Sequence, residues 1–363
     1  MNLKKSFLLL LVVGGGIIGY RWYTSYPPEI TLTPQENKTM KTFIQGVSTR
    51  CVGRYLIDMP GSFSVEEGNI LAFVNDTPIK TKRIYRPAFE QKLRLREEKL
   101  RSEKTVNPQD MPYLKQIYPL PEGMEGVIFE RNRSISLPDS SRVLEAHFYI
   151  DGVAVEVELR ARNGLSSRYD DERKNIPEIY GNTVPEKIAE LTRLLKRISG
   201  RKDTEIPHQA GFCLPDIFIA DGRGEDKESI DLGYTSPEYP ELTFDFLTDN
   251  FNKSDTLMLE RSVEMERDIK KLKGRTIQKG KRELNDIYTE EWLVAGKTDS
   301  DEKILRFVLH ANEKKSGSET PWMYISFLQR GFSGSNQLSE NEAVSVWEQI
   351  TGTLRIRPGA FGK

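Results

Sequence analysis

The chain has 363 residues, with 53 Lys and Arg against 54 Asp and Glu, so its net charge is near zero and no whole-protein field selects nucleic acid. Hydrophobic residues make up 37%, and 16 Phe, 14 Tyr and 4 Trp supply enough bulk for a packed core without a long polar tail. At roughly 150 residues per domain, the part beyond the N-terminal segment suggests two domains.

The N-terminus reads Lys4, Lys5, then an uncharged run from Ser6 to Tyr20, then Arg21, Trp22 and Tyr23. Fifteen residues at 1.5 Å each span about 22 Å, short of a hydrocarbon core of about 30 Å, which favours a signal peptide. Against cleavage, Arg21-Trp22-Tyr23-Thr24-Ser25 lacks the small residues of a peptidase site, and Trp22 and Tyr23 suit an interfacial aromatic belt. Residues 1–25 are therefore read as a signal or anchor segment, placing the remainder across a membrane. Gly14-Gly15-Gly16-Ile17-Ile18-Gly19 has dinucleotide-loop spacing but follows no strand, so no cofactor is expected. Residues 26–45, rich in Pro, Thr, Glu and Asn, read as a spacer.

From there the chain reads as one module written twice, residues 46–199 and 208–363, joined by a polar stretch near Ser199 to His208. Each half opens on a strand region with a cysteine, Cys51 to Ile57 and Gly211 to Ile219. Each continues through a strand, Asn69 to Val74 and Leu242 to Leu247, into a charged helix. Phe89, Leu93 and Leu100 line one face of the first helix, and Met258, Met265, Ile269 and Leu272 that of the second. A meander follows. Val143 to Ile150 turns at Asp151-Gly152, a strong hairpin signal, into the alternating Val153 to Leu159. In the second half Ile304 to Leu309 and Trp322 to Leu328 take that place. Capping boxes Thr183-Val184-Pro185-Glu186 and Ser339-Glu340-Asn341-Glu342 open the closing helices 156 residues apart, and at that offset Ile188, Leu191, Leu194 and Ile198 fall on Val344, Trp347, Ile350 and Leu354. The expected fold class is α+β: two similar lobes, each a mostly antiparallel sheet with packed helices.

Catalytic signatures are scarce. His147, His208 and His310 have no second ligand at metal spacing, and His147 and His310 read as structural imidazoles in hairpin strands. Gly331-Phe332-Ser333-Gly334-Ser335 ends in Ser where a nucleophile elbow needs Gly. Carboxylates are plentiful, but no pattern directs two of them to one pocket. No catalytic, cofactor-binding or metal residue is assigned. The charged stretches Arg94 to Lys104 and Glu260 to Arg275 read as solvated helix faces, or as faces that steer a charged partner. Two cysteines in an exported chain permit a Cys51–Cys213 disulfide; the alternative is two buried thiols in equivalent strands.

Arg50-Cys51-Val52-Gly53-Arg54-Tyr55-Leu56-Ile57-Asp58-Met59-Pro60, Gly211-Phe212-Cys213-Leu214-Pro215 and the stretch from Ser339 through Ile350-Thr351-Gly352-Thr353-Leu354-Arg355 to Arg357-Pro358-Gly359-Ala360-Phe361 carry a resemblance. They resemble the immunity proteins of type VI secretion phospholipase effectors, those cognate to the fourth lipase class. The resemblance implies a two-lobed, periplasmic, non-enzymatic protein that clamps a lipase toxin and covers its active site or blocks its lid. The implied partner is a phospholipase effector protein, with the membrane engaged through residues 1–25 if that segment is uncleaved. The contact residues are not confined to these motifs, and Gly53, Pro60, Gly211, Pro215 and Gly352 read as structural. Two other classes stay open on residues alone: a tethered periplasmic hydrolase and an envelope assembly protein.

Overall fold

The computed structural model describes residues 30–222, 226–298, 301–331 and 336–362, and for residues 66–69 the backbone alone. The signal or anchor segment, residues 1–25, and Ser333 of the elbow-like run lie outside them.

The first element corrects the spacer expectation. Helix α1 (Pro34–Phe43) begins on a complete capping box, in which the Thr33 hydroxyl accepts from the Glu36 N–H and the Glu36 carboxylate accepts from the Thr33 N–H. It buries only Met40 and Phe43, too few apolar positions to register as helical periodicity.

The N-terminal half then runs β1 (Ser48–Val52), β2 (Tyr55–Met59), β3 (Ser64–Val74), β4 (Thr77–Arg83), α2 (Arg86–Ser102), β5 (Leu114–Pro119), β6 (Glu125–Asn132), β7 (Ser141–Ile150) and β8 (Val153–Arg162). Two short helices, α3 (Asp170–Asn175) and α4 (Pro177–Tyr180), lead to α5 (Val184–Leu195) and β9 (Ile198–Gly200). The C-terminal half runs β10 (Gly211–Cys213), β11 (Ile217–Ala220), β12 (Glu228–Thr235), β13 (Leu242–Asp249), α6 (Ser262–Lys271), β14 (Arg275–Leu284), β15 (Ile287–Lys297), β16 (Lys303–Ala311), β17 (Trp322–Arg330), α7 (Glu340–Thr351) and β18 (Arg355–Ile356). Apart from α1, α3 and α4, the two halves match element for element, as the doubled pattern leads one to expect.

Local chemistry accounts for the turns. Asp151 and Gly152 both have positive φ, as a two-residue type I′ hairpin requires, and Asn75-Asp76 and Asn285-Asp286 do the same for β3–β4 and β14–β15. The stretch from Cys51 to Ile57, expected as one strand, is instead a hairpin broken at Gly53. That residue has φ +58°, and a Cβ there would meet the Thr248 methyl at 2.8 Å. The Ser339 box forms on α7, but the Thr183 box does not form on α5. The Thr183 hydroxyl accepts from the Arg162 N–H instead.

The half-sheets join into one antiparallel sheet of order β14-β15-β16-β17-β13-β12-β3-β4-β8-β7-β6-β5. Read outward from the β12–β3 contact, each half repeats the same order, so the two are related as by a two-fold axis through that contact. Two small sheets show a reciprocal exchange: β18, the end of the second half, completes β1-β2, and β9, the end of the first, completes β10-β11.

One face of the large sheet is the main core. It holds Leu144, Val155 and Val157 from the first half and Phe244, Phe307 and Phe327 from the second, under α5, α7 and α1. Trp347 of α7 lies fully buried edge-on to Phe307 and donates its indole N–H to Glu291 at 3.0 Å. The Ser339 hydroxyl that caps α7 donates to Glu36 of α1 at 2.7 Å, so these two helices are tied cap to cap.

Candidate functional site

The two cysteines meet at the seam between the halves. Cys51 of β1 and Cys213 of β10 form a disulfide with their Cα atoms 5.7 Å apart, and both are fully buried. Gly53 and Cys213 exchange backbone hydrogen bonds beside it, at 3.0 and 2.8 Å. Arg54, at the β1–β2 turn, donates to Glu228 and to Asp221 of the other half, and to the Ala360 carbonyl. The Arg357 guanidinium donates to the carbonyls of Pro207, Gln209 and Gly211 at 2.7, 2.8 and 2.6 Å, and burial pushes its pKa down to about 10. The motif residues Arg54, Gly211 and Arg357 therefore close the seam. Gly211 has φ +139°, and a Cβ there would sit 2.2 Å from the Ile219 carbonyl.

The histidines stay apart. His147 is buried on β7 with Nε2 2.8 Å from Glu145, whose carboxyl Arg96, His147 and Arg131 hold far below its ordinary range despite burial. His310 on β16 accepts the Trp322 indole N–H at Nδ1, and burial lowers its pKa. His208 is exposed in the join. Among the described residues no group of three His, Cys, Asp or Glu is placed to hold a metal. Where carboxylates converge they share an arginine: Glu228 and Asp221 share Arg54, Glu291 and Glu348 share Arg282, and Asp110 and Asp139 share Arg168. These are structural triads, buried at Glu228 and Glu291 and open at Asp221, in which the guanidinium answers the charge.

The second face of the large sheet is built differently. Helices α2 and α6, which are equivalent in the doubled fold, both pack on it near its two ends. Arg96 and Lys92 of α2 pair with Glu145 of β7 and Glu156 of β8, and Glu266 of α6 pairs with Lys279 of β14. Between them the central strands present half-buried or exposed residues: Leu71 and Phe73 of β3, Asp231 and Gly233 of β12, Asp245 and Leu247 of β13, and Trp322 and Tyr324 of β17. Register aligns them into rows across the sheet, one of which runs Leu71, Asp231, Leu247, Tyr324, His310. His310, Trp322 and Tyr324 contact one another ring to ring.

Leu71 is 57% exposed although its strand lies near the middle of a twelve-stranded sheet. The cause is an asymmetry between the halves. β12 and β13 pair over seven residues, whereas β3 and β4 pair only at Ala72, Phe73 and Val74 among the described residues, because β4 turns away to β8. The helices flanking this face also expose apolar groups: Tyr85 (88%) at the start of α2 and Leu95 (58%) on it, Val263 (79%) on α6 and Leu272 (74%) at its end. Leu272 is thus a correction, since its helical spacing placed it on the buried stripe.

A trough of this kind, with aromatic, aliphatic and acidic groups on its floor and exposed apolar groups on the helices that flank it, suits protein contact. Sequence reading missed it. The signal was present in Ser229-Ile230-Asp231-Leu232-Gly233-Tyr234-Thr235, whose alternation buries Ile230, Leu232 and Tyr234 and leaves the others half-buried. Which strands lie beside it is not readable locally.

Comparison with known proteins follows the same division into halves. Residues 48–201 match the family model of the Tle cognate immunity protein 4 N-terminal domain, and residues 205–359 that of its C-terminal domain. The fold is similar to the apo structure of the immunity protein TplEi of the type VI secretion system from Pseudomonas aeruginosa, with a TM-score of 0.68 at 19% identity over 86% of this chain and 98% of that one. It is similar also to the crystal structure of the Tle4–Tli4 complex, with a TM-score of 0.66 at 19% identity over 87% and 99%. A third similar structure is TplEi of the same organism complexed with a peptide called "L", with a TM-score of 0.63 at 19% identity over 87% and 99%. No curated protein matches. With both halves matched in order, the chain belongs to the family of Tle cognate immunity protein 4, a family of immunity proteins rather than enzymes.

Proposed function

We propose that this chain binds and neutralises a cognate type VI secreted phospholipase in the periplasm, by stoichiometric occlusion, and so protects membrane phospholipid. The observation that carries the reading is the family match across both halves, together with the trough between α2 and α6. One similar structure is a complex with Tle4 and another a complex with a peptide, which supports a protein partner here. Occlusion needs no reactive residue. It needs a complementary surface of about 1,600 Å² with aromatic and aliphatic anchors near its centre, and Leu71, Leu247, Trp322 and Tyr324 are such anchors.

Residues 1–25 supply the compartment, as a cleaved signal or a retained tether, and residues 46–199 and 208–363 are the two working lobes. The test is co-expression with a candidate cognate Tle4-type lipase directed to the periplasm. Survival should require the full chain and fail when residues 1–25 are removed. Equal survival without residues 1–25 would contradict the reading.

A further inference from the structure

The floor of the trough contains a pair of acids to which no cation is paired among the described residues. Asp231 and Asp245 stand diagonally across the β12–β13 pair, because Asp231 faces Leu247 and Gly233 faces Asp245. Their side chains share the exposed face, since Ile230, Leu232, Phe244 and Phe246 occupy the other. Cross-strand diagonal neighbours lie within about 7–8 Å, close enough for like charges to repel. Gly233 adds no side chain between them, and the site where its Cβ would stand is 3.1 Å from Asp245 Oδ1, so that carboxylate leans over the gap. Among the described residues, Asp245 accepts from the Ser326 hydroxyl at 2.9 Å and no side chain donates to Asp231. Burial and the neighbouring Asp245 charge both raise the Asp231 carboxyl above its ordinary value.

Other acids on this face have a cation or paired N–H donors among the described residues. Glu145 has Arg96 and Arg131, Glu156 has Lys92, and Asp249 accepts from the N–H groups of Phe251 and Asn252. Among the described residues no cation pairs with Asp231 or Asp245, and Asp245 keeps the Ser326 hydroxyl as its donor; the two sit beside Leu71, Leu247 and Tyr324 at the centre of the trough.

Resting on the clamp reading above, we propose that the trough takes a segment of the effector in which a Lys or Arg side chain is flanked by apolar residues. The cation sits between Asp231 and Asp245, and the flanking groups lie on Leu71 and Tyr324. Charge complementarity commits the occupant, since a cation at this point removes a repulsion that the free protein carries. Apolar contacts on either side exclude water and strengthen the pair.

The test uses the full chain and a cognate Tle4-type lipase identified by its binding to the native chain. Asp231→Asn, Asp245→Asn and the double variant are compared with native protein and with Asp171→Asn, alone and combined with Asp170→Asn, which make equal charge changes on exposed α3. Binding is titrated at low and at high salt, and melting is followed for each free protein. The double variant should melt at or above the native temperature, bind roughly tenfold or more weakly, and lose part of the salt dependence, while the α3 variants bind as native does.

A double variant that binds as tightly as native, with the native salt slope, would overturn the inference while leaving the clamp reading standing. Weaker binding with a lower melting temperature would assign the carboxylates to the fold and also overturn it. Self-association of the native chain through this face, abolished in the double variant, would replace the effector with a second copy. Absence of binding by the native chain to every candidate lipase would overturn the clamp reading and this inference together.

Discussion

The two faces of the large sheet belong to the same strands yet are built to opposite rules. On the core face, Phe244, Phe307, Phe327 and Trp347 are fully buried. At the adjoining seam Arg54 meets Glu228 and Asp221, and Arg357 is capped by three carbonyls. On the open face Leu71 is mostly exposed, no cation pairs with Asp231 among the described residues and the flanking helices carry apolar groups in water. Stability is concentrated where the halves interlock, and unsatisfied surface is concentrated where no element of the chain covers it. Groups that cost free energy in the isolated chain are the ones a partner can satisfy.

Breaking the seam should have the largest effect. Replacing both Cys51 and Cys213 by Ser removes a link across 162 residues, worth up to about 5 kcal/mol in the chain-entropy model, and denaturant titration with and without reductant should show it. A loss below about 1 kcal/mol would mean that the exchanged strands hold the halves together unaided. Next comes Trp347→Ala, expected to cost about 3–5 kcal/mol because the cavity opens against Phe307 and leaves Glu291 without its indole donor.

Acidity gives a smaller effect of known sign. Burial raises the Glu228 and Glu348 carboxyls from 4.5 to about 7, so the folded protein retains protons that the unfolded chain releases. Stability from these groups is fully present below about pH 4.5 and falls as pH rises to about 7, by about 1–3 kcal/mol for Glu228. Glu348→Gln mimics the protonated form, whose Oε1 has no hydrogen-bond partner, and should flatten part of that fall in melting curves at pH 5, 7 and 8.5. The smallest stability effect belongs to the open face. Leu71→Ala should change folding stability by less than about 0.5 kcal/mol yet weaken effector binding measurably, whereas Trp347→Ala should do the reverse wherever the protein remains folded.

Much of the fold was legible because the chain states it twice. The Asp151-Gly152 hairpin, the charged helices and the apolar register shared by Leu191 and Trp347 are local signals, and repetition at a fixed offset made them mutually supporting. The union of the half-sheets was not legible. It depends on β3 pairing with β12, which are separated by more than 150 residues with no turn to announce the contact. The exchange of β9 and β18 was equally hidden, since strands of three and two residues leave no periodicity. Helix α1 was lost to composition, and the Thr183 box failed because its hydroxyl had a nearer donor in Arg162. The trough combined both difficulties: its alternation was local, but its neighbours and its missing β4 cover were set by topology.

Hydroxyl-radical footprinting of the full chain with and without its cognate lipase tests the assignment of the open face most directly, because it reads side-chain access residue by residue. Protection is expected at Leu71, Tyr85, Leu95, Tyr324, Val263 and Leu272, on the floor and both rims. Unchanged labelling there, with protection at Leu165, Ile176 and Ile179 on the excursion around α3 and α4, would contradict it.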